Sequence, residues 1–168
     1  LGLTFFLIVS QFDFHSLAAF IKPAYFLIIF LLIFVLILGI ETRGTLRWIP
    51  LGIFNIQPSE FAKPVLILFL ARFWSTNTAS WKNIFKSLLW VLPIFILIFK
   101  QPDLGSALTI AAIWVGMLFV AKVSLKKIII IILISVFILP FGWHLLHDYQ
   151  RQRIISFLAP QSDPLGRG

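Results

Sequence analysis

The sequence predicts an all-α, polytopic membrane helix bundle, and three observations support this fold class. Hydrophobic residues make up 60% of the 168 residues, charged residues only 12%, and the mean hydropathy is +1.03. A soluble domain carries roughly 25% charged residues. The apolar residues are collected in runs that approach the ~20 residues a helix needs to cross a bilayer. These runs lack the alternation of barrel strands, so helices are expected to satisfy the backbone in lipid.

The chain divides into apolar segments separated by short polar ones. Residues 1–9 are predicted to be one truncated span, and residues 10–22 a short connection. Five full spans are predicted at residues 23–40, 61–74 (with 58–60 as a first turn), 84–99, 107–121 and 128–146. No repeat or linker divides the chain, so residues 1–168 are predicted to form a single membrane domain. Because the chain opens inside an apolar run and closes in a polar loop, we expect a fragment of a larger polytopic protein.

Composition and motif spacing exclude several kinds of site. The chain contains no Cys, which excludes a disulfide framework and a Cys-ligated metal. No metal-ligand spacing and no nucleotide-binding Gly-rich loop is present, so we predict no metal site of that kind. The net charge is +8, but the positive charges are scattered among the spans. Attraction to anionic membrane lipids or to a phosphorylated substrate therefore explains the charge better than nucleic-acid binding.

Alternating spans sort the polar segments onto two faces of the predicted bundle. The lysine face carries Asp13, Lys22, Arg72, Lys82, Lys86, Lys122, Lys126 and Lys127. The arginine face carries Glu41, Arg43, Arg47, Glu60, Lys63, Lys100, Asp103, Asp148, Arg151, Arg153, Asp163 and Arg167. Counting Lys plus Arg does not decide which face is cytoplasmic. Because Arg binds phosphate with a planar fork while Lys anchors helix ends by snorkelling, the arginine face is predicted to be the working face.

The stretch "QPSEFAK" (57–63) is predicted to begin a helix that carries a functional ion pair. Pro58 suits the first helical position, and Glu60 lies where the helix dipole favours an anion. These two residues alone would be an ordinary helix start. Lys63 opposes the dipole and lies three residues from Glu60, on the same face. A Glu–Lys pair at membrane depth is costly unless it serves a site.

The stretch "RGTLRW" (43–48) carries positive charges only. Arg43 and Arg47 offer two guanidinium groups, and Trp48 is suited to the membrane interface. A basic loop lying on anionic lipid is one interpretation. The other is a substrate-binding loop, which the acids nearby favour, since lipid headgroups would not require Glu41 and Glu60.

Two further stretches carry weaker signals. In "QPDLG" (101–105), Asp103 is expected first as a helix cap and second as a site residue. Small residues at 107/111 and 112/116 are predicted to allow close helix packing. His147 and Asp148 are adjacent, and neighbouring helical residues do not face each other, so they make a poor catalytic pair.

Three motifs taken together resemble one known family. They are "RGTLRWIPLG" with "QPSEFAK", then "QPDLGSAL", and finally "HDYQRQRI" with "FLAPQSDPLGRG". In this order, between spans of the right number, they resemble the SEDS family (shape, elongation, division and sporulation proteins). The stretch "HDYQRQRI" is most similar to its rod-shape branch. The resemblance runs from about residue 40 to the end.

The resemblance implies a fold, an activity and partners. SEDS proteins are bundles of about ten helices long enough to cross the bilayer, in the bacterial inner membrane. They are peptidoglycan glycosyltransferases that polymerise lipid II beside a class B penicillin-binding protein, without a cofactor; a divalent cation at the diphosphate is left open. The arginine face would then be external, with residues 41–60 as an external loop and 147–168 as the start of a large one.

The resemblance also implies roles for individual residues. Positions that the family needs for activity are matched by Arg47, Glu60 and Lys63. Motif positions with a less firm role are matched by Trp48, Gln57 and Asp103, and all six are expected to bind substrate. The family's catalytic Asp is expected beyond Gly168, since Asp163 belongs to the turn that precedes it, so the fragment is expected to be inactive alone.

The residues suggest a mechanism and leave two rivals. Glycosyl transfer needs a base for a sugar hydroxyl and stabilisation of a departing diphosphate. The hypothesis is that Arg47 and Lys63 hold the diphosphate while Glu60 orients Lys63 or a sugar hydroxyl. A lipid II flippase is the main rival, although it would need a polar lane that the predicted spans lack. A structural scaffold of the wall-synthesis complex is the other.

Overall fold

The computed structural model describes residues 14–38, 49–51, 54–101, 103–143 and 151. The chain forms two compact units, residues 1–122 and 123–168, and each is described by itself. The elements in chain order are α1 (Phe14–Leu38), β1 (Ile49–Leu51), β2 (Phe54–Ile56), α2 (Pro58–Thr76), α3 (Trp81–Lys100), α4 (Leu104–Val120) and α5 (Leu125–Trp143). The predicted helical membrane fold is confirmed, and a small antiparallel hairpin of β1 and β2 is added to it.

A proline and two helix-capping residues determine where α2, α3 and α4 begin. Pro58 occupies the first turn of α2, where its missing N–H costs nothing. Ser80 caps α3 by accepting a hydrogen bond from the Asn83 N–H at 3.3 Å. Asp103 caps α4 in the same way through the Ser106 N–H at 3.2 Å. Each cap satisfies a backbone donor that the first helical turn leaves without a partner.

The predicted start of the first full span was wrong. The sequence predicted a connection over 10–22 and a helix from Pro23, whereas α1 begins at Phe14 and contains Pro23. Proline suits a first helical turn, but inside a helix it costs one backbone hydrogen bond and need not end the element. Ala18, Ala19 and Lys22 favour helix on its N-terminal side. The helix therefore continues through Pro23.

The first unit is held together by apolar packing of α1 against α2 and α3. Leu32, Leu66, Leu70 and Ile94 are completely buried in this core. Packing at protein-like density makes each such side chain worth on the order of 2 kcal/mol or more when truncated. The core positions the start of α2 next to the start of α4.

Helix α4 packs against α3 and α2. The indole N–H of Trp114 donates to the Ser87 hydroxyl at 3.0 Å, and both residues are buried. Of the small residues predicted to allow close packing, Ala107 is buried, which fits the prediction. Ala112 and Gly116 are exposed within the described part of the chain, so the close approach predicted for that pair is absent there.

Two of the described helices are long and apolar enough to cross a membrane by length and composition, through Ala18–Ile37 of α1 and Trp81–Lys100 of α3. Helix α4 is apolar but shorter. In the second unit, α5 presents mostly exposed apolar side chains, including Leu133, Val136 and Phe137. Exposed apolar helix surface of this kind is expected where lipid is the solvent.

Candidate functional site at the start of α2 and α4

Four of the six predicted site residues lie in the described part of the chain. They are Gln57, Glu60, Lys63 and Asp103, and they lie at one end of the first unit. Arg47 and Trp48 lie outside the described residues, as do the acidic and basic residues of 147–150 and 152–168. Gln57 and Asp103 contact each other, which the sequence did not predict, and the contribution of Arg47 stays a prediction.

Glu60 and Lys63 form the predicted ion pair. The Lys63 Nζ donates to Glu60 Oε1 at 2.6 Å, with the side chains 23% and 55% exposed for Lys63 and Glu60 respectively. An exposed pair of this type contributes about 0–1 kcal/mol to stability. The pair therefore contributes little to the fold, and both charged groups are partly exposed.

Asp103 is at the centre of a buried hydrogen-bond cluster and is only 6% exposed. Its Oδ1 accepts the Ser106 N–H of α4. Its Oδ2 accepts the Gln57 Nε2–H at 3.0 Å and the Ser59 hydroxyl at 3.5 Å. The cap predicted for Asp103 is confirmed, and the same carboxylate joins the start of α2 to the start of α4.

Two polar residues of this region were missed by the sequence analysis. Ser59 is 1% exposed and bonds Asp103, yet it stood unremarked between Pro58 and Glu60 in "QPSE". Gln101 is also 1% exposed, and its Nε2 donates to the Leu32 backbone oxygen of α1 at 2.9 Å. For Gln101 the available signal was an uncharged polar residue one position beyond Lys100 at the end of an apolar span, because it must find a partner when buried; Ser59 carried no such signal.

The geometry separates the site into an exposed part and a buried part. The exposed part is a carboxylate beside an ammonium group, which can bind an anionic group and orient a hydroxyl. The buried part is the cluster of Gln57, Ser59 and Asp103, which joins the backbone at the start of α2 to that at the start of α4. Among the described residues, no three His, Cys, Asp or Glu side chains lie together as a metal site would require.

Comparison with known proteins identifies the family. Across residues 1–168, the chain matches the FtsW/RodA/SpoVE family model, which is described as a cell cycle protein. The chain belongs to the SEDS family. This confirms the resemblance inferred from the three motifs.

Curated relatives of this SEDS protein carry one activity in their names. This chain is 34% identical to the peptidoglycan glycosyltransferase MrdB of Escherichia coli K12 over 171 residues, which cover 100% of this chain and 46% of MrdB. It is 35% identical to the probable peptidoglycan glycosyltransferase FtsW of Aeromonas salmonicida over 150 residues, covering 87% of the chain and 38% of FtsW. The chain thus spans less than half the length of these relatives.

Solved structures share the fold. A chain of a peptidoglycan synthase complex that coordinates polymerization and crosslinking superimposes with a TM-score of 0.81 at 31% identity, covering 98% of this chain and 50% of its own. The rod shape determining protein RodA of Thermus thermophilus gives 0.65 at 28% identity, covering 77% of this chain and 44% of its own. The predicted polytopic membrane bundle is confirmed by both.

Proposed function

We propose that the full-length protein is a peptidoglycan glycosyltransferase that polymerises lipid II in the bacterial inner membrane during cell-wall elongation. The observation that carries the proposal is the exposed Glu60–Lys63 ion pair at the start of α2. Support comes from relatives named as peptidoglycan glycosyltransferases. The rod-shape branch is favoured by the sequence "HDYQRQRI" and by the similarity to MrdB and RodA.

The ion pair suits a substrate that carries a diphosphate. A Lys ammonium has three N–H donors, and Glu60 accepts one from Lys63. The remaining N–H groups donate hydrogen bonds to diphosphate oxygen atoms, and the Arg47 guanidinium is a second binding group. Stabilising charge on a leaving diphosphate lowers the barrier of glycosyl transfer. The prenyl chain of lipid II would lie against the apolar helix surfaces, and the catalytic Asp is expected in the segment after Gly168.

The orientation and partner follow from the same proposal. The end of the first unit that carries Glu60, Lys63 and Asp103 is the external end, where the glycan is built. A class B penicillin-binding protein that crosslinks the product is the proposed partner. Its support is that a similar chain was solved in a complex coordinating polymerization with crosslinking.

Polymerisation by purified full-length protein tests the proposal. With lipid II as the only substrate, the wild type is expected to make glycan chains and the Glu60→Ala variant to lose about 100-fold or more in rate, because Lys63 loses the carboxylate that orients its ammonium group towards the diphosphate. Lys82→Ala removes an exposed lysine at the opposite end of the unit and is the matched control, with activity unchanged. Normal polymer from Glu60→Ala with a normal thermal unfolding midpoint would contradict the site.

Two rivals predict other outcomes in the same assay. A flippase would move lipid II across reconstituted vesicles without producing polymer. A scaffold would tolerate removal of the charges at Glu60 and Lys63 while still assembling with its partner. Either result in the full-length protein would replace the proposed activity.

A further inference from the structure

Asp103 is buried although it lies at the proposed substrate end. It is 6% exposed, and both carboxylate oxygens accept hydrogen bonds from this chain, Oδ1 from Ser106 N–H and Oδ2 from Gln57 and Ser59. These donors satisfy the carboxylate, and a buried carboxylate oxygen without a hydrogen-bond partner would be costly. A role for Asp103 in binding within the protein therefore fits better than the substrate contact expected from the sequence.

Gln57 connects this carboxylate to the ion pair. Gln57 is the N-cap residue of α2, but its side chain makes no capping bond to its own helix. It reaches instead to Asp103 Oδ2 at 3.0 Å, while its backbone oxygen accepts the Glu60 N–H at 3.1 Å. One residue thus binds α4 with its side chain and the first turn of α2 with its backbone.

The first turn of α2 sets the direction of the ion pair. Ser59 is 1% exposed and faces the buried cluster, whereas the next residue, Glu60, is exposed. Successive helical residues point about 100° apart, so fixing Ser59 and Gln57 on the α4 side fixes Glu60 and Lys63 on the outer side. A displacement of about 1 Å at a reacting group can cost about 100-fold in rate.

We propose that Gln57 and Asp103 form a positioning clamp that fixes the first turn of α2 and thereby holds Lys63 and Glu60 against the substrate diphosphate. Asp103 and Gln57 are positioning residues and do not touch the substrate. This inference rests on the proposed function, because the diphosphate is that of the proposed reaction. It replaces the substrate-binding role that the sequence suggested for both residues.

A polarity swap tests the clamp in the full-length protein. Asp103→Asn keeps the cap, since Asn also accepts the Ser106 N–H, and Gln57 can turn its amide so that its Oε1 accepts from Asn Nδ2, which keeps the bond between the two helices. Gln57→Glu places two carboxylates together. The double variant Gln57→Glu/Asp103→Asn restores the bond with its direction reversed, from Asn Nδ2 to Glu Oε. Gln57→Glu alone is expected to lose at least tenfold in the rate of lipid II polymerisation, whereas Asp103→Asn and the double variant are expected to stay within threefold of wild type, because both keep the bond.

A second readout reports α2 directly. Amide hydrogen exchange of the peptide covering residues 57–66 is expected to speed up in Gln57→Glu and to stay at the wild-type rate in Asp103→Asn and in the double variant. Ser87→Ala is the matched control: it removes a buried bond between α3 and α4, the one from Trp114. It is expected to leave polymerisation and exchange in this peptide unchanged.

The outcomes separate the two proposals. Gln57→Glu with wild-type polymerisation would overturn the clamp. A double variant that recovers slow exchange but not activity would also overturn it, because the Asp103 carboxylate itself would then be needed by the substrate. A wild-type protein that makes no polymer, while exchange follows the swap, would refute the proposed function and support the clamp as the device that fixes α2.

Discussion

Tyr25 illustrates how single polar groups are accommodated in this apolar bundle. Its ring stacks on Phe69 with centroids 4.4 Å apart and meets the edge of Trp90 at 5.6 Å. Its hydroxyl donates to the Trp90 backbone oxygen at 2.6 Å. The side chain is completely buried, so this bond joins α1 to α3 where water is absent. A polar group in such a place needs a partner, but one bond between membrane helices contributes little net stability.

Replacing Tyr25 by Phe is expected to lower the free energy of unfolding by only about 0.6 kcal/mol, the average for one interhelical bond in a membrane protein. The ring contacts with Phe69 and Trp90 are kept. Tyr25→Ala, which also removes the ring, is expected to cost about 3–5 kcal/mol, as for other aromatic truncations. Denaturant unfolding of the purified full-length protein measures both, and equal losses for the two variants would contradict this account of the contact.

Partners of individual residues were the least predictable feature of the site. The sequence predicted that Glu60 and Lys63 would meet, because helical spacing alone brings residues i and i+3 together. The bond from Gln57 to Asp103 spans 46 positions and depends on how α2 packs against α4. No local pattern encodes that distance, so the cap function of Asp103 could be predicted and its second function could not.

At the scale of elements, α2 begins with an arrangement that is unfavourable for a helix alone. Glu60 lies in the first turn, where the dipole favours it, whereas Lys63 follows within the next turn, where a cation is unfavourable. The ion pair between them offsets this, but only by about 0–1 kcal/mol at an exposed position. The cost from the dipole and the gain from the ion pair are of similar size, so helix stability does not account for the placement of Lys63, whereas the proposed binding of a diphosphate does.

Exchanging the two charges separates these explanations. The variant Glu60→Lys/Lys63→Glu can rebuild the ion pair in reverse and is expected to cost less than about 1 kcal/mol through the helix dipole. Polymerisation is nevertheless expected to fall about 100-fold or more, because the ammonium group is moved away from the diphosphate. Thermal unfolding and polymer synthesis are measured on the same preparation. Recovery of activity in the exchanged variant would show that the pair serves stability alone.

Helix starts were predicted well where a residue marks them, and poorly elsewhere. Pro58 and Asp103 mark the starts of α2 and α4, and both predictions were confirmed. Pro23 was misread as a start because proline is accepted both at a first turn and, at a cost, inside a helix. The hairpin of β1 and β2 was missed because each strand has three residues, too few to show a period of two.

At the scale of the whole molecule, charge differs between the two ends of the first unit. The end that carries Glu60 and Asp103 also carries Lys63 and Lys100. At the other end, the charged residues that the structure describes include Arg72, Lys82, Lys86 and Lys122, and none of the residues described there is acidic. The count of Lys plus Arg does not decide the orientation, so the orientation follows here from the proposed synthesis of glycan outside the cell. We expect the lysine-rich end to be cytoplasmic and the acid-containing end to be external.

Cysteine labelling tests this orientation. The 168 residues contain no Cys, which simplifies the design of single-Cys variants. Cys introduced at Thr78, between α2 and α3, is expected to react with a membrane-impermeant maleimide only from the cytoplasmic side. Cys introduced at Gly105, at the start of α4, is expected to react only from outside. The reverse pattern in intact cells would place the site on the wrong side for external glycan synthesis.

Chemical labelling of Lys63 tests directly whether this ammonium group binds the diphosphate of a lipid-linked substrate. The full-length protein is treated with an amine-reactive reagent in the presence and absence of undecaprenyl diphosphate, and modification is quantified at Lys63 and at the control residue Lys82. The diphosphate is expected to slow labelling of Lys63 at least tenfold and to leave labelling of Lys82 unchanged. Equal labelling of Lys63 with and without saturating diphosphate would contradict this binding.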